Sequence, residues 1–424
     1  MKQPVLSLLI VIALAATAHA QAPTYVTHMD PLAVHNYYLT MSSTDWTTVK
    51  GDSTYTIEKP VWLSADVESK TLISVRRKPT LPVNQKVSLK FDINQYFDGV
   101  VWHGMKKASI ENGQQATYGI ISEGLAWYTH VKAAEHLRST LGIDYNPGRF
   151  TYANVYVNGQ LQGLYTNVAQ VDKQHLRNSD KWVAGETWLY KQQDVNTTEQ
   201  EIGPLTQSPT KALLNYKPFD TRGASTPSDD VLYTQLSQYI NMDGWLVMGA
   251  CNAFASNPDN LFAKGKNYFW SDYEDNLTYK RQYFPWDLDA GFMDATRSIY
   301  GDGNLGTYAD AVLGVPQFRD RYNQIMLSLL NGPLSTSSLQ AYLNQLEPIL
   351  SPSILADPNN GIGSPSAAFT NLRNWVATRN ANIMSQINTD MAARGLAVGI
   401  PEPGAAVLLL ALAPATLSRR RRHV

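Results

Sequence analysis

SNPDNLFAKGKNYFWSDYEDNLTYKRQYFPWDLDAGF, residues 256–292, decides how this chain is read. Two strand-like runs, NYFW and TYKRQYFPW, are joined by the polar turn SDYEDN, the pattern of a β-hairpin. Asp259 lies upstream, in a segment with Pro258 and Gly265 that reads as a loop. Asn267 opens the first strand, and the second ends on Asp287 and Asp289 with Leu288 between them. A hairpin brings its two ends together, so Asn267 entering and Asp287 leaving are predicted to lie side by side. The order is a loop Asp, an Asn, a hairpin and a second Asp.

Working outward, Val231 to Ala255 is apolar nearly all round and predicts one buried helix leading into the Asp259 loop. Residues 203–230 are dense in Pro, Ser, Thr, Gly and Asp, a long surface loop. Phe150 to Val171 reads as strand, with NVYVNGQLQGLYTNV a hairpin turning at Asn158-Gly159. Apolar spacing from about Tyr118 to Leu141 is helical and stops at Gly142. KVSLKFDI, Lys86 to Ile93, alternates Val87, Leu89, Phe91 and Ile93 against Lys86, Ser88, Lys90 and Asp92, a half-buried strand. Residues 24–80 look like strands and turns, whereas 315–331, 336–350 and 366–392 are amphipathic helices. Strands first and helices later predict an α+β fold, with an N-terminal β-rich part and a helical C-terminal part.

The chain has 424 residues, 44% apolar and 17% charged, with 10 Trp and 23 Tyr, which is the composition of a folded domain with a large core. Setting aside residues 1–20 (one Lys) and 401–424 (four Arg and one Glu) leaves 30 basic against 35 acidic residues. With no basic stripe, nucleic acid is not an expected partner. MKQPVLSLLIVIALAATAHA, residues 1–20, has the charge, apolar run and small-residue cleavage site of a secretory signal. The lone Cys251 cannot close an internal disulfide, so an exported chain must rely on packing. At the other end Pro401-Glu402-Pro403 precedes an apolar run and then Arg419 to Arg422, a stop-transfer arrangement. This resembles the PEP-CTERM sorting tail of Gram-negative bacteria. The resemblance implies an exosortase partner, transient membrane anchoring and a place at the cell envelope, surface or extracellular matrix. The domain plan is a signal peptide at 1–20, one folded domain at 21–393 and a tail at 394–424.

The chemistry follows from the hairpin. An amide oxygen from Asn267 beside a carboxylate from Asp287 is a hard-oxygen pair suited to Mg²⁺ (or Mn²⁺), and Asp259 can accept a hydroxyl proton. The arrangement is similar to that of protein kinases, with a catalytic-loop Asp, a metal Asn and a second metal Asp. Asp289 either caps the turn or supports the metal. The spacing from Asp259 to Asn267 exceeds the kinase Asp-x-x-x-x-Asn. GDGNLG, 301–306, follows the acids without a preceding strand and reads as a loop rather than a phosphate cradle. No Walker A motif or G-x-S-x-G occurs, and His28, His35, His103, His130, His136 and His175 have no zinc spacing.

This unit resembles the CotH (spore coat protein H) kinase family, whose catalytic Asp, metal Asn and metal Asp in "PWD" fall on Asp259, Asn267 and Asp287. VRRK (Val75 to Lys78), KVSLKFD, VYVNGQLQGLYTNVAQVDKQHL and ETWLYK (Glu186 to Lys191) are similar to further family segments, together spanning roughly 70 to 390. The family's Glu in "VEQ" is Ala169 here, and no role is carried onto it. The resemblance implies an atypical protein-kinase-like fold and transfer of the ATP γ-phosphate to Ser or Thr of an acceptor protein. The alternative is a kinase-like surface protein that binds without turnover, or that transfers adenylate. For the nucleotide phosphates the expected groups are Lys90, paired with Glu123 on the next helix, together with Arg77, Lys264 and Lys266.

Overall fold

The structure is a computed structural model describing residues 23–194, 197–204, 206, 228–275, 278–301 and 308–396. The signal segment, GDGNLG beyond Gly301, most of the 203–230 loop, and the tail with Pro401, Glu402 and Pro403 lie outside the described residues. The chain divides into two compact units, Met1–Ile383 and Met384–Val424. The first carries everything discussed below.

Seven strands close a barrel: β1 Val34–Thr40, β2 Lys59–Ala65, β3 Thr71–Arg77, β4 Leu89–Asp92, β5 Lys107–Glu111, β6 Phe150–Val157 and β7 Gln160–Ala169. Their order is β1-β2-β3-β4-β5-β7-β6, and the parallel pairing of β1 with β6 shuts the ring. Closure removes the free edges an open sheet would expose. The alternation read from Leu89 to Asp92 holds, with Leu89 and Phe91 buried inside and Lys90 and Asp92 outside. Lys86 and Ser88 depart from it: both are buried. Lys86 donates to Asp357 at 2.9 Å and to the Leu164 carbonyl at 2.9 Å, a buried ion pair in place of a solvated charge. Asn158 and Gly159 turn the β6–β7 hairpin with φ of 51° and 82°, the left-handed pair a two-residue turn requires.

Two short helices, α1 Pro23–His28 and α2 Ser43–Gly51, lie within the stretch expected to be strands and turns. α3 Gly119–Leu141 follows the barrel's fifth strand and ends on Gly142 at φ 66°. After α4 Lys173–Asn178 comes a four-stranded sheet of β8 Thr187–Asp194, β9 Thr197–Ile202, β10 Tyr268–Asp275 and β11 Thr278–Pro285, ordered β11-β10-β8-β9. The single helix expected over Val231 to Ala255 is two, α5 Asp229–Tyr239 and α6 Met242–Phe254. Asn241 makes the break: its side chain accepts the Gly244 amide at 3.0 Å and caps α6. α7 Leu261–Lys264 lies in the loop beyond, and α8 Tyr308–Leu313, α9 Pro316–Leu330, α10 Thr336–Ala356 and α11 Pro365–Ala393 complete the helical part. The α+β class holds. The β-rich part is a closed seven-stranded barrel, which the kinase-like expectation does not include.

Candidate active site

The site begins where α6 ends. Ser256 takes φ 56°, and Asn257 Oδ1 then accepts the Asp259 amide at 2.8 Å, which turns the chain back. Asn260 caps α7 by accepting the amides of Phe262 and Ala263, and Gly265 ends it at φ 66°. That single helical turn takes up the extra length between Asp259 and Asn267. Asn267 Nδ2 therefore reaches both the Asp259 carbonyl (2.9 Å) and its Oδ2 (3.1 Å). With Nδ2 so engaged, Oδ1 is the atom Asn267 can offer a cation. Lys264 and Lys266 bond the two Asp259 oxygens at 3.0 and 2.9 Å. Burial pushes the Asp259 carboxyl up, but the two ammonium groups outweigh it and hold it below the ordinary carboxylate range.

Across the hairpin, Tyr268 pairs with Pro285, so Asn267 and Asp287 both stand just beyond the last rung at the same end of the ladder. Asp287 takes φ 56°, a strained conformation for a non-glycine residue. It shares a cleft with half-buried Asp289, Glu111 at the end of β5 and buried Glu123 on α3. These residues line one cleft with Gln114 and Trp127. Burial and then Asp287 and Glu111 push Asp289 up to about 8. Glu123 is raised well above its ordinary value, by burial first and then by Glu111 and Asp289. Asp287 is raised by burial, against the pull of Lys78. Lys78 is the cation here: it pairs with Glu111 and lies 5.4 Å from the Trp286 ring centroid. Four acids with Lys78 as their paired ammonium form a site short of positive charge.

The donor set fits a divalent cation. Mg²⁺ is commonly held by one or two carboxylates with its remaining places left to water and phosphate, and Asp287 and Asp289 supply that pair. Among the described residues no three acids, histidines or cysteines already close on one point.

The expected Lys90–Glu123 pair does not form. The charged groups around Glu123 are Glu111, Asp289, Lys78 and Asp287. Lys90 stands on the outer face of β4, lowered to about 8 by burial and by its neighbours Arg76, Lys107 and Lys191. Lys191 on β8, itself lowered by burial, also feels Asp287. Lys90 and Lys191 make no ion pair among the described residues; Glu201 acts on both across a longer distance, and of the two only Lys191 feels Asp287. Arg77 is engaged elsewhere, donating to the Lys50 carbonyl at 3.0 Å and stacking over Tyr55. Ala169 sits in the barrel core. Lys78, Glu111 and Lys191 were not singled out by spacing, although Lys78 closes VRRK and Lys191 closes ETWLYK.

The two halves of the site are also tied to each other. Phe292 donates its amide to the Ala255 carbonyl at 2.6 Å, and the Thr117 hydroxyl bonds the Gly291 carbonyl at 2.8 Å. No curated protein matches this chain. The sequence model of one family, described as CotH kinase protein, matches residues 132–383, more than half of the chain. The matched span holds Lys191, Asp259, Asn267, Asp287 and Asp289, while Lys78, Glu111 and Glu123 lie before it. The chain belongs to the CotH kinase protein family.

Proposed function

We propose that this protein is an exported kinase that transfers the γ-phosphate of ATP to Ser or Thr hydroxyls of surface or matrix proteins, with Mg²⁺ or Mn²⁺. The observation that carries the reading is the division of the acids into two environments. Asp259 is held ionised by Lys264, Lys266 and Asn267, while Asp287 and Asp289 share one cleft with Glu111 and Glu123 and resist ionisation until positive charge arrives. Paired carboxyls driven apart in this way mark separate chemical duties.

In this reading Asp259 receives and orients the acceptor hydroxyl and takes its proton. Asp287 and Asp289, with Oδ1 of Asn267, would hold the metal, which supplies neutralisation of phosphate charge when bound. Lys78, Lys90 and Lys191 supply the cations for the nucleotide phosphates. Lys264 and Lys266 keep Asp259 charged and stand next to the transferring group. Positioning and charge neutralisation carry most of phosphoryl transfer, and these are what the residues provide.

Residues 1–20 and 401–424 support export and recognition by an exosortase. The chemistry is tested by incubating residues 21–400 with a surface-protein extract, Mg²⁺ and ATP labelled at either the α or the γ phosphate. Protein label from γ-labelled ATP alone supports the reading. Label arriving only from the α position would replace it with adenylylation, and nucleotide binding without any label would leave a binding protein.

A further inference from the structure

Two loops carry the site, one leaving α6 with Asp259 and one leaving β11 with Asp287 and Asp289. They meet where the Phe292 amide bonds the Ala255 carbonyl, and a second hold on both loops comes from neither. Arg379, on α11, is completely buried. Its Nε donates to the Phe254 carbonyl at 3.1 Å, and Nη2 donates to the Ala253 carbonyl. Nη1 donates to the carbonyls of Ala295 (3.1 Å) and Arg297 (2.6 Å). The first two carbonyls are the C-terminal end of α6, five and six residues before Asp259. The other two lie six and eight residues beyond Asp289.

The guanidinium bonds backbone carbonyls and the Asn382 amide oxygen (3.5 Å), and no carboxylate among the described residues. α6 has no basic residue in its last turn, so Arg379 brings a cation to the negative end of that helix from a different element. Burial lowers it to about 10. A buried charge is a poor choice for packing alone, because an apolar side chain of the same volume serves as well or better. The fork geometry of five fixed donors is what an apolar side chain or a Lys lacks. Trp375, one turn earlier on α11, packs edge-on against Phe254 and Phe292, at 6.3 and 4.8 Å between centroids. Ser256 and Phe292, at φ 56° and 65°, are the strained residues where the loops meet. Such strain persists only where the surroundings over-determine it.

We propose that Arg379 is a positioning residue for phosphoryl transfer: by gripping carbonyls on both loops it fixes Asp259 relative to Asp287 and Asp289. The proposal rests on the kinase reading above. It touches neither acceptor nor nucleotide, so its loss acts on alignment rather than on binding.

The test compares Arg379→Lys and Arg379→Met with Leu346→Ala, a core change on α10 that lowers stability away from the site. Transfer kinetics and amide hydrogen exchange are measured well below each melting point. The expected result is a kcat at least tenfold lower in both Arg379 variants, with KM for ATP within twofold. Amides of 255–260 and 289–297 exchange at least tenfold faster, while barrel amides are unchanged. Should Arg379→Met not fold, Arg379→Lys must show the same split. A kcat equal to that of Leu346→Ala, or faster exchange spread evenly over the barrel, would overturn the proposal. If the unmodified chain transfers no phosphate, the kinase reading falls. The exchange pattern still decides whether Arg379 couples the two loops.

Discussion

Lys78, one residue past the end of β3, and Lys90 on neighbouring β4 have similar chemistry, yet only Lys78 reaches the acids. It pairs with Glu111 and is the ammonium that acts most strongly on both Glu123 and Asp287. Lys78→Met is therefore expected to cut transfer roughly 100-fold, the scale seen when one preorganised charge-stabilising donor is removed. Arg77→Met should leave turnover within about twofold and act on stability alone, because its partners are Lys50 and Tyr55. Steady-state kinetics of the two variants side by side check both. Asp259, Asn267 and Asp287 were legible in the sequence because one hairpin and its flanking loop hold all three. Lys78 follows β3, Glu111 ends β5 and Lys191 lies on β8. Which face each presents depends on barrel closure and on the second sheet, and neither leaves a local pattern.

At the scale of elements, one buried pair joins the barrel to α10. Asp357 accepts Lys86 Nζ at 2.9 Å, the Leu164 amide at 3.0 Å and the Asn359 amide at 2.8 Å. Gly163 makes room for it: at φ 140° an added Cβ would stand 2.6 Å from Asp357 Oδ1. Gly163→Ala is expected to lower stability by roughly 2–4 kcal/mol, read from the urea midpoint. Lys86→Met or Asp357→Asn alone should cost roughly 3–5 kcal/mol, and the double variant less than their sum, since only the single changes strand a polar partner. Gly124 plays a related part on α3, where any side chain would overlap the Tyr152 hydroxyl. That close approach seats Glu123 over the barrel. The hairpin turn at Asn158-Gly159 and the end of α3 at Gly142 could be read in advance, because a left-handed backbone leaves a residue signature. The break between α5 and α6 is marked only by the Asn241 cap within an apolar run. Lys86 looked solvated because alternation cannot anticipate a partner 271 positions away.

The molecule as a whole buries neutral imidazoles. His130 is lowered to about 3 and His175 to about 4, each by burial first, and His28 lies lower still, stacked between His35 and His103 at 4.1 and 3.8 Å. In the unfolded chain these rings take up protons near pH 6.5. Their folded pKa values are depressed, so the stability they contribute is complete above pH 6.5 and is lost as pH falls from there towards 4. Between pH 6.5 and 5 the loss is at most about 2 kcal/mol for each ring. The raised carboxyls of Asp289 and Glu123 act in the opposite sense, so the rings are read by difference: between pH 7 and pH 5 in urea, His175→Asn should lose less stability than the unmodified chain. An equal change in both would contradict this burial. The α+β class was readable from strands preceding helices, but closure was not, because the β1–β6 pairing joins segments more than a hundred residues apart.

The central claim is that Asp259 and Asp287 divide acceptor chemistry from metal and nucleotide binding across one junction of loops. The direct measurement is Mg²⁺-dependent binding of a fluorescent ATP analogue, run beside γ-phosphate transfer, for Asp259→Ala and Asp287→Ala. Asp259→Ala is expected to keep nucleotide affinity within a few-fold and lose transfer, whereas Asp287→Ala loses both. Transfer at the unmodified rate in either variant, or equal loss of nucleotide affinity in both, would contradict the account.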